Sequence, residues 1–422
     1  MKMGDMMQTK NEIISVDESE QSNNNNEKTG LNGISRRKFL FGTVVAAAGA
    51  IAMHGVRNSE ASDRVSPDCG NKTQQNSKKM PIIDVHRHCM WKPSGPLEEI
   101  MESTLKKNTN WREHPSGAVI TVDGISSIVY PELMDIDLQV RKQDEAGVAR
   151  GILSFSMELE LMCRELSFPS DNMLTEKFND KTAEMVTKYP SKLAFMAIVN
   201  PSKKSSIAEC DRCIRQLGAK GVNISTSWQG EFLDSEKINP FWEYAQAQDV
   251  TIFLHPPFVP LGYQKMNMYR LEEVVGRPFD TAMSVARMIY SGVFDRYPGL
   301  KIVLPHMGGG LPNVIGRLDF GYRLGYQGLP KGEAAVCKRK PSDYLRTNFY
   351  VDIMGFSPTG IKQCIEIFGI DRVLFGTDYP AVNISPKEHI DIVRNNIGLS
   401  VHDQNKILSL NAQTLFHLQD SV

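Results

Sequence analysis

Residues 82–88 read IIDVHRH. Three of the first four are β-branched and apolar, which favours an extended strand. Side chains two apart on a strand share a face, so His86 and His88 point the same way. Seven further runs have the same character: Ala149–Phe155, Leu193–Val199, Gly218–Ile224, Val250–His255, Lys301–His306, Phe349–Ile353 and Arg372–Phe375. They are short and almost continuously apolar, as strands covered on both faces are. Helical patterns alternate with them at Asp135–Ala146, Asn172–Tyr189, Ile207–Leu217, Asn239–Gln248, Asp280–Arg296, Thr359–Phe368 and Pro386–Asn396, and a last helix is expected over Val401–Leu418. Strand and helix units repeating in this way predict an α/β fold, a parallel (β/α)₈ barrel over residues 81–420. The alternative is a doubly wound open sheet. No glycine-rich dinucleotide turn supports it, because His306-Met-Gly-Gly-Gly310 follows the sixth run and lacks the G-x-G-x-x-G spacing. Residues 89–134 interrupt the pattern after the first strand, where barrel insertions shape or cover the pocket.

The chain has nine histidines. His86, His88, His255 and His306 end predicted strands, on the rim where barrel enzymes place their chemistry. His54, His114, His389, His402 and His417 fall elsewhere. Two inward imidazoles on one strand can share a metal ion, and neutral imidazole suits zinc and similar ions. His255 ends the fifth strand in FLHPP, where two prolines stop the ladder. Asp378 follows the eighth strand in LFGTDYP, and strands one and eight are neighbours in a closed barrel. Taken singly, an H-x-H on a strand is as often structural, and an aspartate after a strand is more often a helix cap. Together they predict one site with His86, His88, His255 and Asp378 as ligands.

Of the 422 residues, 41% are hydrophobic and 23% charged, with a net charge of −1, so nothing in the balance points to nucleic acid. Seven cysteines do not make a disulfide framework in a chain this long. Cys210 and Cys213 form a C-x-x-C, but the surrounding IAECDRCIRQLG reads as a helix. Residues 1–34 are polar and aperiodic, a disordered leader. Residues 35–57 open with Ser-Arg-Arg-Lys-Phe-Leu before FGTVVAAAGAIAM, which resembles a twin-arginine export signal. Residues 58–80 read as a polar linker. The expected partners therefore include the twin-arginine export machinery, and the expected location is periplasmic or anchored to the membrane by the N-terminus.

The stretches IIDVHRH, NDKTAEMVTKYPSKLAFMAIVNP, FLHPP, SGVFDRYPGLKIVLPHMGGG, VIGRLDFGY and VLFGTDYP follow one another in this order. The chain thereby resembles the amidohydrolase superfamily, in the branch of α-amino-β-carboxymuconate-ε-semialdehyde decarboxylase and related aromatic-acid decarboxylases. The resemblance implies the same four ligands, with His306 as a catalytic histidine. The carboxylate oxygen of Asp378 left free by ligation would let it share in proton transfer. It also implies that Arg317, eleven residues beyond His306, serves a neighbouring subunit, and hence a homodimer. The decarboxylase carries a carboxylate-binding arginine in the insertion after strand one. The comparable stretch here, DGISSIVYPE, has none, and Arg112 is the candidate replacement. In the loop after His255, Tyr263 and Tyr269 are candidate pocket walls.

Binuclear relatives carry a carboxylated lysine at the end of strand four. Here Lys220 stands at the start of that strand, which ends at Asn223-Ile224-Ser225, so a single divalent ion is expected, zinc or alternatively manganese. Such an ion favours ionising a bound water, with His306 as general base. The expected reaction is non-oxidative decarboxylation of an unsaturated or aromatic carboxylic acid. Hydrolysis of a lactone, amide or ester, and a non-catalytic exported binding barrel, are the alternatives.

Overall fold

The computed structural model describes residues 80–90, 112–114, 117–122, 125–154, 171–228, 230–266, 268–325 and 334–418. All fall within one compact unit, Gln75–Val422. The readings of residues 1–34, 35–57 and, but for Met80, 58–80 lie outside the described residues.

All eight expected strands form: β1 (Ile83–His88), β2 (Arg150–Ser154), β3 (Leu193–Phe195, resuming at Ala197–Ile198), β4 (Val222–Ser225), β5 (Thr251–His255), β6 (Lys301–Leu304), β7 (Phe349–Asp352) and β8 (Val373–Leu374). Each pairs in parallel with its neighbours in sequence order. The ends of the sheet meet. Val85 donates to the Phe375 carbonyl at 2.9 Å, Asp378 N–H to the His86 carbonyl at 2.8 Å, and His88 N–H to the Tyr379 carbonyl at 2.9 Å. These bonds join β8 to β1 and close the eight-stranded sheet into a barrel.

The covering helices are α1 (Ile136–Ala146), α2 (Asp171–Lys188), α3 (Ser205–Arg215), α4 (Asn239–Ala247), α5 (Arg277–Tyr290), α6 (Leu311–Leu324), α7 (Pro358–Phe368) and α8 (Pro386–Asp391). Helix α6 is absent from the sequence expectations. Its interior holds Gly316 and Gly321, which weaken intrinsic helix propensity, and burial of Leu311 and Ile315 against the barrel compensates. The single helix expected over 280–296 is divided at Gly292, whose φ of 72° ends one helix and starts another. The insertion contains a three-stranded antiparallel sheet, Arg112–His114, Gly117–Val122 and Ile125–Val129.

Two apolar cores flank the strand wall. Outward residues such as Leu254, Leu304 and Phe375 pack beneath the helices. Inward residues, among them Ile83, Val85, Phe253, Val303 and Leu374, join Leu415 and Phe416 of the C-terminal segment in a separate cluster that floors the barrel. On β1 the inward positions change parity. Ile83 and Val85 belong to the floor, yet His86 and His88 face the same interior. The reason is a bulge between Asp84 and Arg87, where β1 has one residue more than β2. An extra residue re-aims everything beyond it.

Candidate metal centre

The strand ends bring His86, His88, His255 and Asp378 together, all buried, with one potential ligand atom from each lying within 4.8 Å of the others. His86 Nε2 is 3.2 Å from His88 Nε2, and Asp378 Oδ1 lies 2.8 Å from His88 Nε2 and 3.3 Å from His86 Nε2. The His255 ring stands 4.9 Å from that of His88 and 5.2 Å from that of His86, centre to centre. His255 Nδ1 donates to the Pro256 carbonyl at 2.9 Å, which leaves Nε2 buried with no hydrogen-bond partner. An orphaned buried nitrogen facing two imidazoles and a carboxylate has an explanation as a ligand. The donor set, three neutral imidazoles and one carboxylate, fits one divalent ion.

The electrostatics agree. Burial, and then His88, His86 and His306, push the His255 pKa well below the ordinary imidazole range, which keeps the ring neutral. For Asp378 burial favours the protonated acid. His86, with His306 and His88, outweighs it and holds the carboxyl well below its usual range. A neutral ring beside an ionised carboxylate is the state in which these groups bind a cation.

Local sequence sets these positions. Asp84 accepts from the backbone N–H of His86 at 3.2 Å and of Thr377 at 3.1 Å, and from the Thr377 hydroxyl at 2.6 Å. This ties β1 to the turn that carries Asp378. Asp378 itself has a φ of 60°, a left-handed backbone that aspartate tolerates better than bulky residues. At Gly376 a Cβ would lie 2.9 Å from the Cβ atoms of both His86 and Asp352, so only glycine lets them approach. His306 also has a positive φ, 54°. Its Nε2 is 3.3 Å from Asp378 Oδ2, and its Nδ1 is buried without a partner. Asp378 thus offers one oxygen to the ligand cluster and the other to His306.

His255, His306 and Asp378 open onto a cavity of about 530 Å³, whose wall also includes Arg277, Met307, Asn313 and Phe356. Arg277 is 7% exposed and donates to the Phe258 carbonyl. Sequence reasoning missed this cation, which stands at the end of the loop after strand five, just before the helix expected over 280–296. Arg317 is exposed on α6, and Tyr263 packs against the Val129, Leu133 and Phe258 cluster. Among the described residues neither lines the cavity. Tyr269 is 85% exposed. Arg112 opens the insertion's sheet, and its side chain lies outside what the structure describes.

The sequence matches the amidohydrolase family over residues 83–418. The chain belongs to this family. Among similar proteins is the γ-resorcylate decarboxylase of Polaromonas sp. strain JS666, 34% identical over 300 residues that make up 68% of this chain and 89% of the relative. The 2-amino-3-carboxymuconate-6-semialdehyde decarboxylase of Dictyostelium discoideum is 30% identical over 58% of this chain and 67% of its own length. A solved dihydroxybenzoic acid decarboxylase from Polaromonas sp. JS666, with bound manganese and the inhibitor 2-nitroresorcinol, aligns at a TM-score of 0.61 and 27% identity over 81% of this chain and 98% of that one. The 5-carboxyvanillate decarboxylase of Sphingomonas paucimobilis aligns at 0.67 and 23% identity over 80% of this chain and 99% of the neighbour, a likeness of fold. This amidohydrolase thus gathers on the rim of its barrel four side chains, His86, His88, His255 and Asp378, that could hold a divalent ion.

Proposed function

We propose that this amidohydrolase is a metal-dependent carboxy-lyase that removes CO₂ without an oxidant from an aromatic or otherwise unsaturated carboxylic acid. The observation that carries the reading is the placing of Asp378 between the ligand cluster and His306, at the mouth of a cavity that also presents a buried arginine. His86, His88, His255 and Asp378 would hold the ion, whose fixed positive charge would anchor and polarise an anionic substrate when bound. Arg277 supplies a second cation for an acidic or phenolic group. Met307 and Phe356 give apolar wall for a ring. His306 Nε2 and Asp378 Oδ2 form the unit that holds a proton and delivers it to the carbon losing its carboxylate. The C–C bond breaks, its electron pair stays on the ring carbon, a C–H bond forms there, and no redox partner is needed.

Several finer readings go with it. Zinc suits the donor set, and the manganese of the solved relative makes Mn²⁺ the alternative; elemental analysis of purified protein decides. A homodimer is supported by exposed apolar residues on adjoining helices, Phe279 (54%) and Met283 (48%) on α5 and Phe320 (49%) on α6, the helix that carries Arg317. Export, with a periplasmic or N-terminally anchored product, rests on the Arg36–Arg37 stretch alone.

The test of the reaction is incubation of metal-loaded protein with 2,6-dihydroxybenzoate, 5-carboxyvanillate and related hydroxybenzoates in D₂O. Metal-dependent CO₂ release with one deuterium at the vacated ring carbon is expected. Absence of CO₂, with labelled water oxygen entering the product of a lactone or ester panel, overturns the reading in favour of hydrolysis.

A further inference from the structure

Asp352 ends β7 in the run FYVDI and is fully buried. A carboxylate buried in an apolar strand is costly unless its oxygens are well used. Both are used here, one on a histidine of the ligand cluster and one on backbone N–H groups. Asp352 Oδ2 lies 2.7 Å from His86 Nδ1. Oδ1 accepts from the backbone N–H of Met354 at 3.1 Å and of Met307 at 3.3 Å. Met307 follows His306 and has a φ of 54°. One side chain therefore touches the far nitrogen of a ligand and the turn that carries the proton-handling histidine.

The inference rests on the metal reading above. A ligand imidazole presents a bare lone pair at one nitrogen and keeps its proton on the other. The nitrogen of His86 that faces the ligand cluster is Nε2, so its proton belongs on Nδ1, toward Asp352. We infer that Asp352 is a positioning residue that fixes His86 in the Nδ1–H form and so sets the affinity of the site for its ion. Gly376 is part of the same device, because a side chain there would press on both members of the pair.

Asp352→Asn separates this role from a merely structural one. In the metal-free variant the asparagine oxygen keeps the two backbone N–H groups and its amide donates to Nδ1. The His86 proton moves to Nε2, where Asp378 accepts it. All groups stay satisfied, and the metal-free fold keeps its stability. Metal binding then requires the proton back on Nδ1, against an N–H donor. The amide can flip, but it then meets the two backbone N–H groups instead. Both arrangements leave donors facing donors.

The experiment measures Mn²⁺ affinity by chelator competition for the wild type and Asp352→Asn, with thermal unfolding of both metal-free proteins. A loss of about 10- to 100-fold in affinity with little change in metal-free unfolding is expected. Wild type that binds no Mn²⁺ overturns the metal reading and this inference with it. Wild-type binding with equal affinity in the variant overturns this inference alone. If the variant does not fold, zinc-loaded wild type decides: a strongly downfield ring N–H resonance from His86 Nδ1 is expected, and its absence sinks the assignment.

Discussion

The floor and the rim of this barrel are built from the same strands and obey opposite rules. On β5, Phe253 belongs to the apolar floor and His255, two residues on, to the ligand cluster; their rings are 6.3 Å apart. On β7, Tyr350 packs on the floor and Asp352 reaches His86. The floor gains stability from every buried methylene. The rim gathers buried imidazoles and carboxylates that tolerate burial only through one another or an ion. The difference shows where this chain gives up packing for chemistry: a single step of two residues along a strand.

The largest effect that sharpens this contrast is His306→Asn. Turnover is expected to fall by about 10²–10⁴, the usual worth of an acid–base group, while bound metal stays at the wild-type ratio by elemental analysis. Loss of the metal in that variant would break the separation between ligand and proton donor. On the floor, Phe416→Ala is expected to cost about 3–5 kcal/mol of stability, read as a shift of the urea midpoint. Its Mn²⁺ affinity should be unchanged, and a large loss of affinity would show floor and rim to be one cooperative unit.

A pH series on metal-free protein tests the rim's electrostatics. His255 is depressed by burial and neighbouring imidazoles, and His389 by burial. A depressed histidine binds fewer protons folded than unfolded. Its contribution is full above the unfolded value, about 6.5, and is lost as pH falls below that toward the folded value. Urea titrations from about pH 8 down to about pH 5 should show stability falling as the pH falls. Asp378, also depressed, adds a second loss below about pH 4. Substituting His255 with asparagine should flatten the upper step. The smallest effect lies outside both regions. Cys210, on α3, is buried and its thiol is pushed up to about 12 by that burial. It should resist thiol reagents in the native protein and react only on unfolding.

Much of this was legible in the sequence because it is periodic or local. The strands announced themselves as β-branched apolar runs. His86 and His88 shared a face by spacing, and the prolines after His255 marked a strand end. The C-x-x-C read as a helix and lies in one, with both thiols buried. Asp352 was overlooked because a lone acid in FYVDI gives no local sign of a partner 266 positions away. Arg277 was missed because it ends a long loop, EEVVGRP, whose sequence does not show which side chains face the cavity. Helix α6 escaped because its glycines mask a period that burial restores.

The residues alone settled the order of the eight barrel strands and pointed to the histidine and aspartate cluster, since hydrophobic period and strand spacing are properties of neighbours along the chain. Tertiary structure alone decided which way those side chains turn. The bulge in β1 reverses parity between Val85 and His86, and the closing bonds to Phe375 and Tyr379 carry Asp378 to the first strand. Backbone pairing between distant strands fixes both, because an extra residue in one strand has meaning only against the partner it fails to match.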